Sequence, residues 1–180
     1  MVLVFLADGF EESEAILPID ILRRAGLDVV TVAIGEDRNV SGSHGLTLRA
    51  DVTAETLPDC TPEMVFLPGG MPGTKNLDAS PVVKTYLEKA YTEGSFMAAI
   101  CAAPMVLGRQ GLLQGKNATC YPGFEQYLAG ATVGGDVVAD GKVITGKGMG
   151  VALPFALKLV EALRGKEAAE AIADAVCYPG

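Results

Sequence analysis

Short runs of consecutive apolar residues alternate along this chain with longer stretches in which apolar residues recur at helical spacing. Short apolar runs rich in β-branched residues are typical of strands buried on both faces of a sheet. Such runs predict strands at residues 2–6, 28–33, 64–68 and at the run ending at 100. Helical patterns cover residues 11–24, 81–91, 104–111, 124–128, 151–163 and 166–176. The strand–helix–strand beginning indicates a parallel sheet with right-handed crossovers, and therefore an α/β fold.

Two other segments have the pattern of hairpins. Residues 39–51 combine a turn-rich stretch with alternating apolar and polar positions, which predicts a half-exposed hairpin or edge strand appended to the main sheet. Residues 136–145 place two apolar runs around Asp140-Gly141, a strong hairpin signal. The glycine-rich residues 146–150 lack both the dinucleotide-binding and the phosphate-loop motif, so we expect only a loop there.

Composition narrows the class of protein. The 180 residues suit one domain over 1–180, and about half of them are apolar. A formal net charge of -8 argues against binding to nucleic-acid phosphates or anionic lipid. No apolar run approaches the roughly 20 residues of a membrane-spanning helix. The chain begins directly with a strand pattern and no basic leader, so we expect a cytoplasmic protein.

The cysteines and the histidine limit metal chemistry. The four cysteines, at positions 60, 101, 120 and 177, are widely spaced and form no C-x-x-C pair. That spacing argues against a disulfide framework and a zinc site. His44 is the only histidine, which rules out a multi-histidine metal site. We therefore expect no metal site.

Cys101 ends the fourth apolar run and is the leading candidate for chemistry. Ala102 and Ala103 follow it and leave room, and Pro104 suits the first turn of a helix. The pattern predicts a tight strand-to-helix turn like a nucleophile elbow, with cysteine in place of serine. A helix N-terminus favours the thiolate form of such a cysteine. The alternative is an ordinary buried cysteine.

Three candidate features follow three predicted strands: the acidic stretch 8–14, Gly69-Gly70, and Cys101. Sites in open α/β sheets lie at the carboxyl ends of the strands, so these features are expected to form one pocket. Backbone N–H groups of Gly70 and Ala102 could stabilise an oxyanion. A glutamate among positions 11, 12 and 14 could move protons, and spacing alone does not choose between them.

Several motifs together resemble one family. They are the stretches 7–14, 18–26, 67–70, 99–104, 118–123 and 160–167. In this order they are similar to the ThiJ/PfpI superfamily, in the branch of the parkinsonism-associated deglycase and its bacterial relatives, over essentially the whole chain. The resemblance implies a flavodoxin-like three-layer sandwich and a homodimer formed through the first helix. It also implies that Glu14 is the acidic partner of Cys101, with Gly70 and Ala102 as oxyanion donors.

The chain departs from relatives at two positions. Ala102 stands where protease-like members have a histidine after the nucleophile, which argues against a Cys-His peptidase. The loop at 118–122 contains Cys120-Tyr121 where the human-type protein has a histidine. Either the site works without an imidazole, or His44 enters it from the hairpin, across the dimer. The alternative for His44 is that it is a solvated turn residue. Tyr121 and Cys120 are candidate pocket-lining residues, and Cys120 is alternatively a resolving thiol or a passive one.

The resemblance implies cofactor-free chemistry on a small carbonyl substrate: glyoxal, methylglyoxal or their adducts. In the leading hypothesis the Cys101 thiolate adds to the aldehyde, a protonated Glu14 shares and moves the protons, and water releases a 2-hydroxy acid. The alternative is a redox-responsive chaperone or sensor whose Cys101 oxidises to a sulfinic acid. A hydrolase or amidotransferase-like enzyme is weaker, because amine leaving groups need an acid.

Overall fold

The computed structural model describes residues 1–179 and contains eleven strands and six α-helices in that range. The strands are β1 (Val2–Leu6), β2 (Val29–Ala33), β3 (Asn39–Ser41), β4 (Thr47–Arg49), β5 (Val52–Thr53), β6 (Met64–Leu67), β7 (Phe96–Ile100), β8 (Asn117–Ala118), β9 (Thr132–Val133), β10 (Val137–Asp140) and β11 (Val143–Gly146). The helices are α1 (Glu12–Arg24), α2 (Gly73–Ala79), α3 (Pro81–Glu93), α4 (Pro104–Arg109), α5 (Ala152–Arg164) and α6 (Lys166–Ala175), with 3-10 turns at Glu125–Tyr127 and Met149–Val151.

Seven strands form one sheet in the order β10-β11-β7-β6-β1-β2-β5. All neighbours in it are parallel except β10 and β11. The central strand β1 pairs with β2 on one side and β6 on the other, so Val2 is opposite both Val29 and Met64. All five residues of β1 are buried, as a strand covered on both faces requires. The predicted flavodoxin-like α/β sandwich is confirmed.

Alternation along the strands divides the core into two clusters, one on each face of the sheet. Val2, Val4 and Leu6 belong to the first cluster, which includes residues of α1 and α5. Leu3 and Phe5 point the other way, into a cluster with residues of α3 and α4. Side chains that alternate faces with a period of two account for this division. The sheet is thus the middle layer of three.

Proline and glycine set several helix ends. Pro81 and Pro104 occupy the first positions of α3 and α4, where a missing N–H costs nothing. Gly94 ends α3 with φ 70°, a left-handed conformation that favours glycine. Pro18 lies inside α1 without ending it, and its missing N–H leaves the carbonyl of Glu14 without its helical partner. These local signals explain why most predicted boundaries agree with the structure.

The structure refines three sequence-based expectations. The β3–β4 hairpin is present but forms its own two-stranded sheet, joined to residue Phe10 by one bridge at Gly42. Strand β11 pairs with β10 as the predicted hairpin and also runs parallel to β7. Helix α2 has no strong apolar periodicity and was not predicted. Within residues 1–179, no helix has the length and apolar character needed to cross a membrane.

Candidate active site

Cys101 lies on a tight turn between β7 and α4. Its φ of 63° is unusual for a residue with a side chain, and Cys177 is the only other such residue among positions 1–179. Two backbone hydrogen bonds hold the turn: Cys101 N donates to Gly146 O at 2.8 Å, and Tyr121 N donates to Cys101 O at 2.8 Å. Strained backbone of this kind occurs where neighbouring segments fix it. The predicted strand-to-helix turn is confirmed.

Glu14 and Cys101 meet across Gly69, at the end of β6. A Cβ at Gly69 would overlap Glu14 Oε2 and lie 2.6 Å from the Cβ of Cys101. Glu11 N donates to Gly69 O at 2.9 Å, which ties the start of α1 to this strand end. Only glycine fits here, because any side chain would separate the carboxyl group from the thiol. The structure therefore brings together Glu14 and Cys101, as the resemblance implied.

The surroundings of the Glu14 carboxyl group favour its protonated form. Glu14 is 1% exposed. Burial is the largest cause that raises its pKa to about 7, and the charge of Glu11 adds to it. Hydrogen bonding to the Cys101 thiol and to the amides of Gly69 and Met149 offsets part of this rise. Glu14 Oε2 has no well-aligned hydrogen-bond partner among the described residues, which fits a carboxyl group that interacts mainly with a thiol.

The surroundings of Cys101 oppose the thiolate form that the sequence predicts. Burial, together with the charge and hydrogen bond of the nearby Glu14 carboxyl group, raises the pKa of this thiol to about 12. The amides of Ala102 and Gly70 act on the sulfur in the opposite direction without compensating. The two amides are therefore outweighed by desolvation. Both pKa values of this coupled pair are raised, so the pair retains a proton near neutral pH.

Gly70 and Ala102 direct backbone N–H groups toward the reactive sulfur. Both amides act on the Cys101 sulfur and lower the pKa of the thiol. Gly70 has φ 93°, and a Cβ there would lie 2.6 Å from the carbonyl oxygen of Gly9. Its conformation and its close packing both require glycine. Two fixed donors beside a nucleophile can stabilise an oxyanion that forms on the attacked carbon.

The loop after β11 forms another wall of the site, which sequence reasoning treated as a plain loop. The Met149 amide acts on the Glu14 carboxyl group. A Cβ at Gly148 would lie 3.4 Å from Tyr121 Cδ2 and 3.9 Å from Glu14 Oε1. Tyr121 is thus near Glu14, while half of its surface remains exposed. The loop follows β11, which runs parallel to β7, and this position could have indicated that it belongs to the site. The sequence pattern showed only the pairing of β11 with β10 in a hairpin.

His44 interacts with Glu12 rather than with a catalytic group. His44 N donates to Glu12 Oε1 at 2.7 Å, and His44 Nδ1 lies 3.0 Å from Glu12 Oε2. Glu12 is buried, which by itself raises its pKa, but the hydrogen bonds from the side chain and backbone of His44 and from Leu46 N lower the pKa to about 2. In turn, the hydrogen bond to Glu12 raises the pKa of His44. The imidazole is mostly exposed and helps to anchor the hairpin turn on α1.

Glu11, Glu12 and His44 are the only group of potential metal ligands found among residues 1–179, with ligand atoms within 4.8 Å of one another. Their oxygens already have structural partners. Glu11 Oε2 accepts a hydrogen bond from Glu14 N at 2.7 Å and caps α1. Glu12 accepts the hydrogen bonds of the hairpin turn. These contacts explain the cluster without a metal ion.

Cys120 and Cys101 pack into different parts of the core. Cys120 is 4% exposed and belongs to the second cluster, whereas the half-buried Cys101 packs against the first. Burial, with a smaller effect of the Glu125 charge, raises the pKa of Cys120 to about 11. All four cysteines are free thiols. A resolving role for Cys120 would require its side chain to leave this packing.

The chain is similar to known proteins over most of its length. A model of the DJ-1/PfpI family matches residues 1–162. Protein DJ-1 homolog B of Arabidopsis thaliana is 40% identical over 93% of this chain. The match covers only 39% of the length of that protein. Glutathione-independent glyoxalase DJR-1.2 of Caenorhabditis elegans is 34% identical, over 93% of this chain and 90% of that protein. The structure of oxidized Toxoplasma gondii DJ-1 is 37% identical and superposes with a TM-score of 0.95, covering 99% of this chain and 98% of that one. The elbow cysteine, its buried glutamate and these matches together place the chain in the DJ-1/PfpI family.

Proposed function

We propose that this chain is a cofactor-independent enzyme that converts α-oxoaldehydes such as methylglyoxal and glyoxal, free or as adducts, to 2-hydroxy acids. The observation that carries the proposal is the contact of Glu14 with Cys101 across Gly69, with the pKa values of both groups raised. A pair that holds a proton near neutral pH suits a reaction made of successive proton transfers. The name of the C. elegans relative, a glutathione-independent glyoxalase, supports the same chemistry.

The first step forms a hemithioacetal. The Glu14 carboxylate takes up the proton of the Cys101 thiol as the sulfur bonds to the aldehyde carbon. The electrons of the carbonyl double bond move to oxygen, and the amides of Gly70 and Ala102 stabilise the resulting oxyanion. Glu14 then returns the proton to that oxygen.

The second step moves a proton between the two substrate carbons. Glu14 removes the proton from the former aldehyde carbon, which gives an enediolate, and delivers that proton to the adjacent carbon while the hydroxyl proton passes from the first oxygen to the second. The product is a thioester of the 2-hydroxy acid on Cys101. Water attacks the thioester carbon, the sulfur leaves and takes up a proton, and the acid is released. The oxidation of one substrate carbon is balanced by the reduction of its neighbour, so these steps need no external oxidant, reductant or redox nucleotide.

The decisive experiment measures lactate formation from methylglyoxal without glutathione or added metal. Wild type should turn over, and Cys101→Ala should lose all measurable turnover, because no other thiol belongs to the site. Cys120→Ala is the matched control, since that thiol lies in the second core cluster. Full turnover by Cys101→Ala, or none by wild type, would refute the proposal.

A redox sensor or chaperone is the second candidate function. One observation favours it: the solved T. gondii relative with a TM-score of 0.95 is described as oxidized. The raised pKa of Cys101 opposes it, because the thiolate is the form that oxidises. Intact mass after mild peroxide distinguishes the two: selective gain of two oxygens at Cys101 in a protein without methylglyoxal turnover would favour the sensor.

We also propose a homodimer that forms through α1 in the cytoplasm. Ile16 on α1, Leu46 in the hairpin turn and Met149 are large apolar residues that are 41%, 58% and 58% exposed. Exposed apolar side chains of this size are characteristic of interaction surfaces. Four free thiols suit a reducing compartment. Light scattering on wild type and Ile16→Asp tests the dimer, which the charged residue should dissociate.

A further inference from the structure

Tyr121 is an exposed aromatic residue beside the Glu14–Cys101 pair. Its backbone N–H donates to the carbonyl oxygen of Cys101 at 2.8 Å, so the loop that carries it is hydrogen-bonded directly to the reactive residue. Tyr121 is 51% exposed, whereas its neighbour Cys120 is buried. Because covering an aromatic side chain is favourable, an exposed one beside a reactive pair offers apolar surface to a bound molecule.

The space between this ring and the Glu14 carboxyl group is open, because residue 148 is a glycine. A Cβ at Gly148 would lie 3.4 Å from Tyr121 Cδ2, 3.9 Å from Tyr121 Cε2 and 3.9 Å from Glu14 Oε1. These are ordinary van der Waals distances, so one carbon atom at that point would contact the ring and the carboxyl group at once. A substrate that exchanges a proton with Glu14 therefore has its substituent within reach of the ring.

The loop around Tyr121 is held in place by hydrogen bonds on both sides. Before it, Thr119 donates its backbone N–H to Thr145 Oγ1 at 2.9 Å and its hydroxyl to Gly135 O at 2.7 Å. After it, Phe124 N donates to Tyr121 O at 3.1 Å. A loop that is already ordered loses little backbone freedom when a ligand binds, so more of the contact energy of the ring appears as affinity.

We propose that Tyr121 determines specificity at this site and favours α-oxoaldehydes whose second carbonyl carbon carries an aromatic ring. This preference rests on the proposed function, because Cys101 and Glu14 are the groups that react. A methyl substituent would touch only the nearest ring carbons, whereas an aryl substituent would pack along the ring, offset or edge to face. The ring contacts the substituent and not the reacting carbons, so it binds substrate and transition state alike, and its effect belongs in KM rather than in kcat.

Steady-state kinetics with phenylglyoxal and methylglyoxal test this preference, since the two substrates differ only in a phenyl and a methyl group. The KM of wild type should be about tenfold lower for phenylglyoxal, the size expected of an aromatic pair. Tyr121→Ala should remove the difference by raising the KM for phenylglyoxal, with kcat little changed. Tyr121→Phe keeps the ring and should preserve the difference. Tyr91→Ala removes an exposed ring from α3 and is the matched control, which should also preserve it.

A binding measurement separates this proposal from the proposed function. Calorimetry compares mandelamide and lactamide, two neutral, unreactive amides that carry the same phenyl and methyl groups. Mandelamide should bind wild type about tenfold more tightly, and Tyr121→Ala should remove that difference. If neither aldehyde were turned over but mandelamide kept this advantage, the proposed function would fall and the aryl-binding role of Tyr121 would stand.

Three results would overturn the role of Tyr121 even in an active enzyme. They are equal affinities for the two amides, equal KM changes for both aldehydes in Tyr121→Ala, and loss of the preference in Tyr121→Phe. Tighter binding of methylguanidinium than of mandelamide would also overturn it, because the ring would then serve a cation–π contact.

Discussion

Glu12 and Glu14 lie two residues apart on α1 and are 5% and 1% exposed, yet their carboxyl groups have opposite acidities. The pKa of Glu12 is lowered from 4.5 to about 2, and that of Glu14 is raised from 4.5 to about 7. Burial raises both values and is the largest single cause for each. The difference between the two glutamates must therefore come from their polar partners.

Those partners differ in number and in kind. Glu12 accepts two backbone N–H hydrogen bonds from the hairpin turn, from His44 and Leu46, and its other oxygen contacts the His44 ring. Glu14 faces a thiol, and its Oε2 has no well-aligned partner among residues 1–179. Hydrogen bonds to the ionised form outweigh desolvation at the first site and fail to do so at the second. One carboxyl group anchors a loop, and the other is free to exchange its proton.

The largest expected effect comes from Glu14→Gln. The amide keeps the size of the side chain but cannot accept and return a proton, so kcat/KM for methylglyoxal should fall at least ~100-fold. Glu12→Gln, the matched change two residues away, should retain turnover close to that of wild type. Lactate assays on the two variants in parallel measure the contrast. Equal losses would mean that the two glutamates do not have distinct roles.

The same pair of variants gives a test by pH. Because the folded-state pKa of Glu14 exceeds the ordinary 4.5, protonated Glu14 contributes stability below pH 4.5 that is lost as the pH rises through about 7. Glu14→Gln cannot ionise and should lack this loss. Urea unfolding of both proteins across that range measures it. A difference that is independent of pH would show that Glu14 ionises normally.

Gly69→Ala tests whether the Glu14–Cys101 contact needs a residue without a side chain. Its Cβ would overlap Glu14 Oε2 and approach the Cβ of Cys101 to 2.6 Å, so the carboxyl group or the thiol must move. A displacement of that size should cost about 100-fold in turnover. Gly148→Ala is the matched control, because its Cβ would lie 3.9 Å from Glu14 Oε1, an ordinary contact. Similar activities for the two variants would contradict a tight arrangement at Gly69.

Sequence reasoning identified the features that depend on local signals. The turn at Cys101 follows from an apolar run that ends before a proline-started helix, and both signals lie within a few residues. The spacing of Glu12 and Glu14 shows that they lie on different faces of α1, because successive helical residues are rotated by about 100°. It does not show which face meets the hairpin and which meets Cys101.

The features that sequence reasoning missed depend on distant contacts. The raised pKa of the Cys101 thiol arises from burial and from Glu14, a residue 87 positions earlier in the chain. Likewise, the loop containing Gly148 became part of the site because β11 pairs in parallel with β7. No short motif encodes either contact. Predicting either contact requires the order of the strands in the sheet.

Glu12→Gln should mainly affect stability. The loss of the ionised acceptor at a buried site should lower the free energy of unfolding by about 1–3 kcal/mol at neutral pH. Because the folded-state pKa is about 2, the contribution of ionised Glu12 is present above pH 4.5 and is lost as the pH falls toward 2. The difference between wild type and Glu12→Gln should therefore shrink in acid. A constant difference would assign the loss to altered packing.

The smallest expected effect is that of His44→Gln, and it separates the two kinds of partner that Glu12 has. The backbone N–H of His44 still donates to Glu12 Oε1 in this variant, and only the contact of the mostly exposed ring is lost. The destabilisation should therefore be smaller than that of Glu12→Gln. Because Glu12 raises the pKa of His44, the protonated ring contributes stability below its ordinary value of 6.5 that is lost as the pH rises through the folded-state value. Urea unfolding on both sides of that value should show a larger effect at the lower pH. If His44→Gln matched Glu12→Gln, the ring, and not the backbone of the hairpin turn, would be what keeps Glu12 ionised.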